Sequence, residues 1–159
     1  MNYRIVEKEA FEIIGKCKKV TTVDGKNLEM IPKFWEEAHS NGLCEKLYEL
    51  AGKLGVLGVC MDFEQEKEEF TYVIAVEKPQ IDVSGDFIEK EIPAATWAIF
   101  EAVGPIPGAI QETWQRIFSE WFPETGYEHA NAPELEVYLP GNPMDSDYKC
   151  EVWIPIIKK

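Results

Sequence analysis

Glu134-Leu-Glu-Val-Tyr-Leu-Pro140, followed by Cys150-Glu-Val-Trp-Ile-Pro-Ile156, decides how this chain folds. Each run alternates with a period of two, the pattern of a strand with two different faces. In the first run Leu135, Val137 and Leu139 share one face, and Glu134, Glu136 and Tyr138 share the other. In the second, Val152, Ile154 and Ile156 oppose Glu151, Trp153 and Pro155. Pro140-Gly-Asn-Pro143 sits in the connection, so a hairpin with a long loop is expected. One face of that hairpin would build a core. The other would carry both Glu136 and Glu151, with Tyr138 and Trp153, an unusual set for a surface that only meets water.

Working outward, the preceding residues supply a strand and a helix. Thr96-Trp-Ala-Ile-Phe-Glu-Ala-Val103 is β-rich, and Gly104-Pro-Ile-Pro-Gly108 leads into a helical stripe of Ile110, Trp114, Ile117, Phe118 and Trp121. That helix should stop near Pro123 to Gly126, with Tyr127 to Pro133 as loop. The second half therefore reads strand, helix, strand, strand. The first half gives the same order. Tyr3-Arg-Ile-Val6 is a short extended start, and 10–20 a strand with Gly15 as a possible bulge. Ile31, Phe34, Trp35 and Ala38 follow at helical spacing, then Leu43, Leu47, Leu50 and Leu54 after a break at Asn41-Gly42. Two β-rich runs, 56–61 and 70–76, flank a charged turn at Glu64-Gln-Glu-Lys-Glu-Glu69. A Pro, Asp and Gly-rich linker covers 77–86, and 87–92 is expected as a short edge strand.

The fold class expected is α+β: a tandem βαββ repeat with antiparallel pairing, its halves at about 1–78 and 86–159 of one domain. No residue-level identity links the halves; the order of elements does. Each unit has one helix for one sheet face, so a ligand cavity is expected between the halves.

At 159 residues with 45% hydrophobic content the chain is long and apolar enough for a sizeable core. It has 16 basic and 29 acidic residues, a formal net charge of −13, which repels phosphate backbones and disfavours direct nucleic-acid binding. No stretch approaches the ~20 apolar residues of a membrane helix, and the N-terminus lacks the apolar core of a signal peptide. Cys17, Cys44, Cys60 and Cys150 have no Cys-x-x-Cys spacing and read as free thiols of a reducing, cytoplasmic compartment. His39 and His129 stand apart from ligand-spaced partners, so no metal site and no cofactor is expected. Phosphate-binding glycine motifs and a nucleophile elbow are absent from the sequence.

Trp121-Phe-Pro-Glu-Thr-Gly-Tyr127, Pro133-Glu-Leu-Glu-Val-Tyr-Leu-Pro140 and Glu151-Val-Trp-Ile-Pro-Ile156 together resemble the GyrI-like small-molecule-binding domain. That domain is the effector-binding module of AraC-type and MerR-type bacterial regulators and also exists as a stand-alone protein. The resemblance extends to Ile13-Ile-Gly15, Phe70-Thr-Tyr-Val-Ile-Ala-Val76 and the segment from Pro93 to Gly104. It implies SHS2-like halves related by a pseudo-twofold axis, with a pocket that holds hydrophobic, often cationic, planar molecules against aromatic rings and a buried glutamate. Glu136 and Glu151 match the acidic strand positions and Trp153 an aromatic one. No helix-turn-helix segment is present in this sequence, so a complete DNA-binding regulator is not expected.

Physically, a carboxylate taken from water must be protonated, paired or kept wet, and a cationic guest supplies the missing charge. The plain alternative is two solvated glutamates on an exposed hairpin. Trp153, Tyr138, Tyr72 and Trp97 are the aromatic candidates, since ring faces attract cations and stack on flat molecules. Either Trp35 or its neighbour Phe34 is expected to reach the cavity, while Trp114, Phe118 and Trp121 are assigned to the core. With the resemblance, these residues imply three functions, in order, of which the second and third are implied by the resemblance alone. The first is a stand-alone binder of hydrophobic, cationic small molecules. The second is a hydrolase opening cyclopropane rings of DNA-alkylating natural products, with Glu136 or Glu151 activating water. The third is a gyrase-inhibitor-like module that engages a protein partner.

Overall fold

The computed structural model describes residues 1–83 and 85–159; Ser84, within the expected linker, lies outside the described residues. In chain order the strands and helices are β1 (Tyr3–Lys8), β2 (Phe11–Thr21), α1 (Asn27–Ser40), α2 (Leu43–Leu50), β3 (Val56–Glu64), β4 (Glu69–Glu77) and β5 (Ile88–Ile92). Then come β6 (Ala95–Val103), α3 (Gly108–Arg116), β7 (Tyr127–His129), β8 (Glu134–Tyr138) and β9 (Lys149–Lys158). The fold class is α+β, as expected. Among the described residues no helix is long and apolar enough to cross a membrane.

The chain divides into two compact units, Phe11–Ile92 and Met1–Ala10 with Pro93–Lys159. The expected halves differ from these at both ends. β1 belongs to the second unit because it pairs with β6, Tyr3 opposite Phe100. β5 belongs to the first because it pairs with β2, Phe11 opposite Ile92.

In the first unit the strand order is β5-β2-β4-β3, with each pairing antiparallel. α1 and α2 cover one face, where Ile14, Val20, Phe34, Ala38, Leu47, Tyr72, Ile74 and Val76 pack together. Ile13, Leu57, Val59, Val73 and Ala75, which point to the opposite face, are buried as well. A strand buried on both faces needs no alternation, which is why Thr71 to Val76 reads as one apolar run. The break between the helices falls at Gly42, whose φ of 85° favours a residue without Cβ.

Gly15 is not a bulge. β2 pairs with β4 without a shift from Ile13 opposite Glu77 to Thr21 opposite Glu69. The irregularity lies instead in β3, between Met61 and Glu64. What Gly15 provides is closeness: a Cβ there would stand 2.0 Å from the Ile74 carbonyl oxygen and 2.8 Å from Ala75 Cα.

In the second unit the order is β1-β6-β9-β8. The outer edge of β9 is shared: β8 pairs with Cys150 to Trp153, and β7 with Ile156 to Lys158. β7 falls inside the segment expected as loop, too short for a periodic pattern to declare it. α3 continues through a π-helical turn, Ile117–Trp121, and a last turn, Phe122–Glu124. Its buried positions are Ile110, Thr113, Ile117 and Trp121. Trp121 shares the buried side with Ile117, four residues earlier, while Phe118 stacks on Trp114 along the flank and is 50% exposed. Phe118 is therefore not a core residue, contrary to expectation.

Replacing Gly15 by Ala should destabilise the protein by about 1–3 kcal/mol, the cost of overpacking against backbone that cannot step aside. Urea unfolding of the two proteins measures it; equal midpoints would remove the close-approach explanation.

Candidate functional site

The register of the C-terminal hairpin sets the site. Leu135 lies opposite Trp153, Glu136 opposite Val152, Val137 opposite Glu151 and Tyr138 opposite Cys150. Directly opposed residues of an antiparallel pair point to the same face. Alternation within each strand is as expected, but the polar set of one strand faces with the apolar set of the other. Glu136 and Glu151 thus lie on opposite faces of the sheet, and the expected single face with two carboxylates does not form.

Glu136 lies on the helix face and is only 9% exposed. Trp114, from α3, donates its indole N–H to Oε2 at 2.9 Å. Tyr138 donates its hydroxyl to Oε1 at 3.1 Å. Each oxygen therefore has a directed donor. Trp114 is placed by the helix: its neighbour Thr113 is buried and returns its hydroxyl to the Ala109 carbonyl at 2.9 Å, leaving Trp114 on the flank. The indole stacks on Phe118 at 6.2 Å and 11°. Phe118 in turn stacks on His129 at 6.5 Å and 17°, so a line of near-parallel rings leads away from Glu136.

His129 is occupied by its own contacts. Its Nδ1 accepts the Asn131 backbone N–H at 2.9 Å, which puts the ring proton on Nε2, 3.2 Å from Glu134 Oε1. Among the described residues no three His, Cys, Asp or Glu side chains converge as metal ligands would.

The other face of the same sheet holds Glu151, Trp153 and Trp97. Glu151 accepts from Arg4 Nη2 at 3.0 Å through Oε2 and from the Trp153 indole at 3.1 Å through Oε1. Trp97 and Trp153 pack at 5.7 Å with their rings tilted by 60°, and both are buried. Here the carboxylate has a guanidinium from its own chain. Its arrangement suits a structural clasp between β1 and β9.

In the first unit Trp35 donates its indole N–H to the Tyr72 hydroxyl at 2.9 Å, with the rings nearly perpendicular. Tyr72 is fully buried, and Phe34 packs in the core beside it. Of the adjacent pair it is Trp35, half-buried, that holds a polar contact.

The structure thus sorts the expected site residues into three sets: Glu136 with Tyr138, Glu151 with Trp153 and Trp97, and Trp35 with Tyr72. Two partners were missed. Trp114 fits the apolar stripe of its helix as well as any core residue; only the need of a buried indole N–H for an acceptor marks it out. Arg4, 147 residues from Glu151 in sequence, gives no local signal at all.

Residues 1–157 match the GyrI-like small molecule binding domain. The chain belongs to the GyrI-like family. Among solved structures, this GyrI-like chain is similar to SAV2435 bound to tetraphenylphosphonium, with a TM-score of 0.86 and 21% identity over 99% of this chain and 94% of that one. It is also similar to a protein of Staphylococcus aureus MU50 assigned to bacterial transcription regulation, with a TM-score of 0.84 and 20% identity over 98% of each. At those identities the likeness is one of fold. A DNA gyrase inhibitor of Erwinia billingiae (strain Eb661) is 33% identical over 67 residues, a match spanning 42% of this chain and 43% of that relative.

Cys150, on the helix face beside Glu136, has its thiol pushed up to about 12 by burial first and then by the charges of Glu136 and Glu151. A thiol pKa raised on folding adds stability that is full below the unfolded value near 9.0 and is lost as pH rises towards about 12. Urea midpoints should therefore fall above about pH 9, and the fall should be shallower in Cys150→Ala. Parallel pH profiles in the two proteins would contradict this.

Proposed function

We propose that this GyrI-like domain binds hydrophobic cations, and that Glu136 selects their charge. The observation that carries the reading is a carboxylate 9% exposed, aimed by the neutral N–H of Trp114 and the neutral O–H of Tyr138. A carboxylate screened from bulk water attracts a guest's positive charge more strongly than an exposed one does. The two donors hold the oxygens in place before the guest arrives, so little ordering is left for binding to do. The rings of Trp114 and Tyr138 add apolar surface and a face for the cation. Tetraphenylphosphonium, the ligand of the SAV2435 structure, is a permanent positive charge inside an apolar shell, the class of guest proposed.

Glu151 has a different role in this proposal. Arg4 already supplies its counter-charge, so it stabilises the strand pairing and does not read the guest. Trp35 and Tyr72 form a separate indole-to-oxygen pair within the first unit, and the role proposed for Glu136 does not draw on them.

Titration with tetraphenylphosphonium, followed by tryptophan fluorescence, tests the proposal. Saturable quenching is expected, and Glu136→Gln should weaken it roughly tenfold or more, the scale of a charge-assisted contact. Glu151→Gln should leave the affinity within about twofold while lowering stability. No saturable change with the wild type, or unaltered affinity in Glu136→Gln, would overturn the reading.

A further inference from the structure

The first unit contains a cleft of about 500 Å³ lined by Lys16, Phe34, Asn41, Gly42, Leu43, Lys46, Asp86 and Phe87. Its volume is that of a small-molecule site. Its chemistry is opposite to that around Glu136. Lys16 and Lys18 have the same parity in β2 as Ile14 and Val20, so both lysines point to the helix-covered face, where the pattern calls for apolar residues. Both are half-buried. The Lys16 ammonium donates to the Asp86 carbonyl and stands 5.9 Å from the centre of the Phe87 ring. The Lys18 ammonium stands 5.9 Å from the centre of the Phe34 ring. Lys46 reaches the same cleft from α2.

Among the described residues Lys16, Lys18 and Lys46 make no ion pair. The lysine salt bridges among the described residues use Lys19, Lys67, Lys78 and Lys90. One carboxylate, that of Asp86, also lines the cleft; it is exposed, and Lys16 contacts the backbone oxygen of that residue. The first turn of α2, beginning beside Gly42, adds the positive end of its dipole. The net charge of −13 opposes anions at long range. Within the ~8 Å screening length of physiological salt, the local ammonium groups dominate.

From this geometry we propose that the cleft is a second binding site, one for an amphiphilic organic monoanion. Its carboxylate would lie between Lys16 and Lys46, and its apolar body against Phe34, Leu43 and Phe87. A competing role exists for inward lysines: beyond Gly15 the edge of β2 has no β5 partner, and buried charge there discourages strand addition. That role needs no ligand, and one experiment separates the two.

Two-dimensional 1H–15N spectra of the full chain are recorded during titration with 2-naphthoate and with uncharged 2-naphthalenemethanol. Saturable shifts are expected at the amides of Asn41, Gly42 and Leu43 with the naphthoate. The alcohol should bind roughly tenfold more weakly, and so should naphthoate to Lys16→Met/Lys46→Met. If the double variant does not fold, Lys46→Met alone, an exposed change, carries the comparison. Absence of saturable shifts at those amides, equal binding of acid and alcohol, or equal binding by wild type and variant would overturn the proposal. Glu136→Gln should leave the naphthoate titration unaltered, so this site and the cation site stand or fall separately.

Discussion

The parity of the β8–β9 register is the constraint on which the site depends. Side chains alternate along a strand, so a slip of one residue would exchange every contact on both faces. With Glu136 opposite Val152, the carboxylate joins the helix face and meets Trp114. With Glu136 opposite Trp153, it would join the clasp of Arg4 and Glu151. The connecting loop holds the register. The Tyr148 hydroxyl donates to the Leu139 carbonyl at 2.8 Å, and backbone bonds from Gly104 to Tyr148 and from Ile106 to Pro143 tie the loop to the start of α3. The segment that carries Trp114 and the loop that sets Glu136 are therefore braced against each other.

The same constraint gives two glutamates of one hairpin different work. Glu151 meets a guanidinium and an indole, so its charge is matched within the chain. Glu136 meets an indole and a phenol, which direct its oxygens. Identical side chains on adjacent strands thus meet different partners. The difference comes from which face each one occupies. The family to which this chain belongs is described as a small molecule binding domain.

Much of the fold was legible because periodicity is a local property. The strand alternation of 134–139 and 150–156, the helical stripes and the glycine break at Gly42 all follow from spacing alone. What escaped was set by contacts distant in sequence. Nothing within β8 or β9 states which residue of one lies opposite which residue of the other, so the two polar faces were joined where the structure separates them. Gly15 read as a bulge because a strand glycine has two common causes, and only the approach of Ile74 and Ala75 decides between them. Trp114 was hidden by the very stripe that positions it, and Phe118, four residues on, shares its flank. Lys16 and Lys18 were visible as breaks in the apolar pattern of β2. The meaning of Lys16 depends on the cleft that it lines together with Asn41 and Gly42 at the α1–α2 break.

The most direct test of Glu136 as the charge selector is the set of tryptophan indole N–H resonances in 1H–15N spectra, followed as tetraphenylphosphonium is added. The predicted result is that the Trp114 resonance, bonded to Glu136, shifts saturably with the guest. It should also change position in Glu136→Gln, while the Trp153 resonance, bonded to Glu151, stays in place in both cases. A guest-dependent shift confined to Trp153, with Trp114 unmoved, would contradict the assignment of Glu136 and place the cation on the opposite face of the sheet.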